Sequence, residues 1–347
     1  LEAIFVSLEG ASAKPRADRI VEVARALAAR APQPDSEALI ALSLASIAYF
    51  TGHFRAAAEH SEEFFAIHRD GLTPTRWELR ATQYFGLCSL VYCGELEELR
   101  VRLPAYLREA QDRGDLFLGT NFRVGETNVH WLFDDEPDEA ERVLDEAMTA
   151  RGHGAHEGDW SRGTFQVQHW YALQSRAQIA LYRGEGPKAF EWIERDRAAL
   201  KRSLLLRVQH TRVKARWIRA RCALTLGTDA GRAIARQESR HIAGEGAAWA
   251  TPLAALIDAA LAVQAGQGDE GVRLLRSAIE AFDPLELPLF AACARARLGR
   301  LLVAKKDPTG APLLQAALDW LAHKGVKRPE KIVDVFAPGF SGALRRG

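Results

Sequence analysis

The chain has one methionine and four cysteines in 347 residues, and its 46 Lys and Arg are offset by 45 Asp and Glu, a net charge of +1. That balance excludes a general polyanion binder, so nucleic acid is not an expected partner. No apolar run approaches the roughly 20 residues of a membrane-spanning helix. Residues 1–10 lack the basic start and cleavage site of a secretory signal, and no membrane partner is expected. Long period-two runs of Val, Ile and Thr are missing, which removes the usual signature of a sheet. Cys88, Cys93, Cys222 and Cys293 are scattered, with no second close pair to complete a zinc site. They read as buried free thiols of a reducing compartment, and the expected location is cytoplasmic. Also missing are an Asp-Phe-Gly motif and a Gly-x-x-x-x-Gly-Lys-Ser/Thr phosphate loop. No nucleophile–base arrangement can be assembled, so no catalytic residue, metal site or cofactor is assigned.

What is present is a unit that recurs about every forty residues. An apolar helix ends at a glycine or acidic turn, and a second helix follows with small residues at its first buried positions. The first clear copy runs from Ala38 to His68, and a clean later one starts at Leu253 and turns at Gly266. Turns fall near Gly52, Gly94, Asp135, Gly184, Gly227, Gly266 and Lys306, with spacings of 42, 41, 49, 43, 39 and 40. Ala57, Ala140, Ala189 and Gly271 follow their turns, where a small side chain lets two helices approach. The composition, rich in Ala, Leu, Arg and Glu, favours helix. The pattern predicts an all-α fold: an α-solenoid of about seven antiparallel helix pairs, a tetratricopeptide-like superhelix. Residues 1–347 form a single helical-repeat domain, with 325–347 as a C-terminal cap. Leu1 opening inside an apolar stretch (Ile4, Phe5, Val6, Leu8) reads as a piece of something longer.

In such a stack the first helix of each pair lines the concave side, and residues three or four apart share a face. The expected groove residues are Tyr84, Cys88 and Tyr92 in the second pair and Tyr171, Gln174 and Gln178 in the fourth. Lys214, Trp217 and Arg221 belong to the fifth. Rings supply contact area, amides grip a backbone and cations meet acids, a combination suited to a peptide. The alternative is that several of them, Trp217 and Tyr84 first, pack between helices. The third pair's first helix is unusually polar (Asn121, Arg123, Glu126, Asn128, His130). It reads as a weak, solvent-facing helix in preference to a groove wall. Residues 195–221 hold ten Lys and Arg against one acid, with Arg212, Arg216 and Arg219 on one helical face. This is either an anion site, or a solvated face, or a partner for the acidic run 134–146. The glycine-rich stretch 151–159, with His153, His156, Glu157 and Asp159, has metal-binding residue types but reads as a surface loop. Two further look-alikes are helix ends: His68-Arg69-Asp70, which spells the start of a kinase catalytic loop, and the glycine run 266–271.

Three stretches together resemble a known group. The middle carries Trp170-Tyr171, Leu181-Tyr182-Arg183-Gly184-Glu185-Gly186 and Ser203-Leu204-Leu205-Leu206-Arg207. The end reads Trp320-Leu321-Ala322-His323-Lys324-Gly325-Val326, then Lys327-Arg328-Pro329-Glu330 and Phe336-Ala337-Pro338-Gly339-Phe340. With the repeats, these resemble the C-terminal tetratricopeptide-like region of bacterial serine/threonine protein kinases that carry a central signal-transduction ATPase module. The resemblance implies a sensory or scaffolding arm of such a protein, with kinase and ATPase modules of the same polypeptide as partners. The leading expectation is therefore a non-catalytic scaffold that binds protein or peptide. Next comes a sensor that takes a small-molecule effector into the concave groove, and last an enzyme built around the His153 loop.

Overall fold

The structure, a computed structural model, describes residues 1–31, 33–68, 75–149 and 164–340. Among these the chain is all-helical. Two helices, α1 (Glu2–Ser7) and α2 (Lys14–Arg30), precede the first repeat. Hairpins follow: α3 (Pro34–Thr51) with α4 (Phe54–His68), and α5 (Arg76–Tyr92) with α6 (Leu96–Asp112). In the third, two short helices, α7 (Leu116–Asn121) and α8 (Val129–Phe133), share the place of one and pair with α9 (Pro137–Thr149). Next come α10 (Val167–Arg183) with α11 (Gly186–Arg202), and α12 (Gln209–Leu224) with α13 (Asp229–Ala243). The last two pair α14 (Thr251–Gln264) with α15 (Gly268–Phe282), and α16 (Pro288–Ala304) with α17 (Gly310–His323). A final helix, α18 (Pro329–Phe336), closes the described chain. This is the expected α-solenoid. The 151–159 loop and Arg69-Asp70 lie outside the described residues.

The repeat has one physical basis at its turns. All seven predicted turn residues adopt positive φ: Gly52, Gly94, Gly184, Gly227 and Gly266, and also Asp135 and Lys306. In six of them the next residue donates its N–H to the carbonyl five positions earlier, at 2.7 to 2.9 Å (His53 to Ala48, Glu185 to Ala180 and so on). This left-handed cap satisfies carbonyls that the helix end would otherwise orphan. Five residues past four of the turns, Ala57, Ala140, Ala189 and Gly271 are buried against the first helix. At Gly271 a Cβ would come within 2.6 Å of Val263, so no larger residue fits without displacing a helix. The glycine run 266–271 is therefore a repeat turn, and His68 ends α4.

The superhelix winds until its ends meet its beginning. Arg100 of the second pair donates to the carbonyls of Lys324 and Gly325, and Lys327 N–H donates to the Phe133 carbonyl. The backbone of Gln209 bonds to Leu8, and the indole of Trp249 lies over Gly52, where a Cβ would sit 2.0 Å from the ring. The cap is tied in the same way. Arg221 donates to the Val335 carbonyl, Arg297 to that of Ala337, and Gln264 to that of Gly339. Trp320 is half-buried, and Val326, Phe336, Ala337 and Phe340 are buried. The apolar letters that carry the resemblance at this end are packing residues, whereas His323, Lys327, Arg328 and Glu330 are exposed.

Lys306 is exposed and carries no cap bond of its own beyond the backbone turn. A side chain in the left-handed region costs on the order of 1 kcal/mol that glycine does not. Lys306→Gly is expected to raise stability by about 0.5–1 kcal/mol, read as a higher urea midpoint with an unchanged slope.

Candidate functional site

The residues expected on an open concave face are inside the protein. Tyr84, Tyr92, Gln174, Gln178, Lys214, Trp217 and Arg221 are all 5% exposed or less, and Tyr171 is half-buried. First helices do face the axis, but the axis is filled. Phe54 stacks on Tyr92 at 3.9 Å, Tyr92 on Phe290 at 5.8 Å, and Phe290 meets Phe336 at 5.4 Å. Trp217 packs on Phe290 and Phe336, while Tyr49 and Trp249 flank the ring of His210. Aromatic residues from four hairpins, the segment before α14 and the cap thus meet across the centre. Their burial is worth more than an open groove because each ring removes 150–250 Å² from water. Among the described residues, these side chains line packed interior and not an open concave groove.

The polar members gather into a buried cluster. Lys214 forms an ion pair with Glu126. Tyr84 and Tyr92 donate to the same carboxylate at 3.4 and 3.3 Å, and the Tyr84 and Tyr171 rings lie 5.3 Å apart. Burial pushes the Lys214 ammonium down to about 7, opposed by Cys88 and reinforced by the positive charge of Arg221. Arg221 stacks on the Trp217 indole at 3.6 Å. Burial lowers its guanidinium to about 10, so it remains charged at neutral pH. Gln174 and Gln178 each leave the amide oxygen without a donor.

Glu126 is there because the third pair breaks. Far from being a solvent-facing helix, residues 122–128 form a buried turn between α7 and α8. Gly125 N–H donates to Tyr171 carbonyl and Ser175 Oγ, while Asn128 donates to the carbonyls of Arg123 and Ala140. Asn128 thus serves as a turn residue that satisfies backbone oxygens, and Asn121 Oδ1 accepts from the Gln168 amide at 3.2 Å.

The basic segment 195–221 does not pair with the acidic run. Arg212 grips Glu245 with two bonds of 2.7 and 2.6 Å, Arg216 reaches Glu245 at 2.8 Å, and Arg219 reaches Glu194 and Glu238. The acidic run is held by Arg100, Arg176 and Arg183 instead. The four cysteines are free and buried. Burial raises the Cys88 thiol to about 11 and the other three to about 12, which keeps them from acting as nucleophiles near neutrality.

A cleft of about 810 Å³ lies at the turn edge, where the turns at Gly184, Gly227 and Gly266 meet the cap residues Lys331, Asp334, Pro338 and Gly339. Its polar lining residues differ in how far they are already engaged. Lys331 has no carboxylate partner among the described residues and sits 6.0 Å from the Tyr182 ring. Asp334 is already held by Arg297 at 2.6 Å. Gln264 donates to the Leu224 and Gly339 carbonyls, both at 2.9 Å, and so ties the cap to α12, while its Oε1 is buried. α11 and α15 begin at this edge without a side-chain cap, α11 with Pro187, which has no N–H, and α15 with Asp269 and Glu270 in its first turn. Sequence reasoning located the three glycines as turns but had no signal that the cap returns to meet them.

Two tests address the buried groups. Burial holds His210 neutral, with its pKa pushed down to about 3 against about 6.5 in an unfolded chain. Because the unfolded state takes up the proton first, stability is full above about pH 6.5 and falls as pH drops towards 3. Below about pH 6 the loss approaches ~1.4 kcal/mol per pH unit, and His210→Phe is expected to remove that slope in denaturation curves compared across the window. Glu126→Gln, which strands the Lys214 ammonium, is expected to cost about 3–5 kcal/mol. Adding Lys214→Met should restore part of it, as a double-mutant cycle would show.

Compared with known proteins, the chain matches no protein-family model and no curated protein.

Proposed function

We propose that this chain is a non-catalytic helical-repeat scaffold that binds an extended, acidic segment of a partner protein in its turn-edge cleft. The observation that carries the reading is the cleft itself, about 810 Å³ in volume and lined by Lys331, a cation with no carboxylate partner among the described residues. Lys331 offers attraction to a carboxylate of the bound segment.

The reading extends to context. The scaffold acts as the regulatory arm of a cytoplasmic serine/threonine kinase–ATPase signalling protein. Supporting it are the resemblance of the middle and closing segments and four free thiols, which fit a reducing compartment. The outer face of α1 and α2 adds to this, with Phe5, Val23 and Leu27 each about 60% exposed or more. Such a face at the start of a solenoid is where further modules would pack. No helix among the described residues is long and apolar enough to cross a membrane.

Peptide arrays with acidic extended sequences test the cleft. The chain is expected to retain a subset, and Lys331→Glu to weaken those about tenfold or more, with an unchanged unfolding midpoint. Equal retention by Lys331→Glu would place binding elsewhere. Association with kinase and ATPase modules encoded in the same reading frame tests the context, and the absence of such modules would end that part.

A further inference from the structure

At the opposite end of the same helices lies a second, smaller cavity of about 270 Å³, between the last turns of α11, the first half of α12 and the end of α13. Its floor is apolar. Trp170, Leu173, Ile193 and Leu200 are all buried, and Leu206 and Ala215 are half-buried. Its rim is cationic, with Arg197, Lys201, Arg212, Arg216 and Arg219 among the lining residues. This is the stretch whose surplus of arginine is visible in the sequence.

The rim is short of negative charge. The carboxylates that touch these cations are Glu194, Glu238 and Glu245, and each is shared. Glu245 serves both Arg212 and Arg216, while Glu194 serves Arg219 at 2.6 Å and Arg197 at only 3.5 Å. Glu238 is taken by Arg219, with His241 3.7 Å away. Lys201 makes no direct ion pair among the described residues and acts on Glu194 only at longer range. Five cations thus face three carboxylates around a recess. Glu238 and Glu245 are nearly buried and already saturated, so they cannot turn outwards to neutralise the mouth. A recess with low-dielectric walls focuses such a surplus.

We infer that this recess is a binding site for a small amphipathic anion: an aromatic or branched aliphatic body on the floor, with its carboxylate or phosphate against Arg197 and Lys201. The volume sits near the lower limit of ligand pockets and admits about one ring system with a short anionic arm. Guanidinium and ammonium groups accept either anion, so carboxylate and phosphate share one recognition chemistry. The site is distinct from the turn-edge cleft, and its loss would leave peptide binding there untouched. Its place between two hairpins gives an occupant contacts with both, a means of fixing their relative angle.

Calorimetric titration of the full chain tests this with indole-3-acetate and phenyl phosphate. The controls are acetate, inorganic phosphate and the neutral indole-3-acetamide. At least one of the two amphipathic anions is expected to bind about tenfold or more tightly than every control, and to weaken as salt is raised. Arg197→Gln with Lys201→Gln is expected to weaken it about fivefold or more. Ala215→Phe, which fills the floor, is expected to abolish binding. Unfolding midpoints identify any variant that merely fails to fold, and the exposed Lys201→Gln alone then serves in its place. The proposal is overturned if inorganic phosphate binds as well as phenyl phosphate, since that marks a charge patch without a floor. It is overturned equally if no probe binds, if the variants bind like the parent, or if only acidic–apolar peptides bind.

Discussion

The aromatic seam along the superhelix axis is the constraint on which the rest of this structure depends. Helical hairpins stacked with a slight rotation leave their first helices facing a common centre. With small or polar residues there, the centre stays open as a groove. Here Tyr92, Trp217 and Phe290 project into it from three different hairpins, Phe54 enters from the first turn and Phe336 from the cap. Stacked and edge-on rings at 4–6 Å leave no channel. The fold therefore behaves as a solenoid in its local pairing and as a single-core globule in its centre. Contacts that a nearest-neighbour stack lacks, such as Trp249 on Gly52, become part of its stability.

Filling the centre has an electrostatic cost, and the structure meets it with specific partners. Lys214 and Glu126 neutralise each other in the interior, and Arg221 is stacked on an indole and bonded to a cap carbonyl. Such groups are costly if left unpaired and close to neutral when paired, so they bind the hairpins together in one register more than they add net stability. The same arrangement moves recognition outwards. With the inner face occupied, the turn-edge cleft and the arginine-rimmed recess lie at the two edges where helices begin and end. Each edge carries cations with too few acids, Lys331 at one and Lys201 with Arg197 at the other.

Much of this was legible in the chain. The seven turn positions, read from glycine, acidic and lysine punctuation, all proved left-handed, because a helix that ends in a tight turn must place one residue at positive φ whatever surrounds it. The small residues at 57, 140, 189 and 271 were legible for the same local reason. The buried state of the four cysteines followed from their place in apolar helices. Where the reading of the site went astray, the cause was long-range. Tyr84, Gln174 and Lys214 were rightly placed on the inner faces, but an inner face is a groove or a core depending on whether the far side of the superhelix arrives. The polar stretch 121–130 read as a solvent-facing helix because nothing local reveals that Glu126 will meet Lys214, nearly ninety residues later.

By itself, then, the sequence determined the all-helical class, the period and the turn geometry. Each of these rests on backbone stereochemistry or on spacing within some forty residues. Only the tertiary structure decided that the groove is filled, which carboxylate each arginine takes and where clefts remain. Those outcomes depend on the accumulated rotation of seven hairpins, a small angle per repeat whose sum brings Trp320 and Arg100 to one place. No local pattern encodes that sum, and the packing of the axis is what selects it.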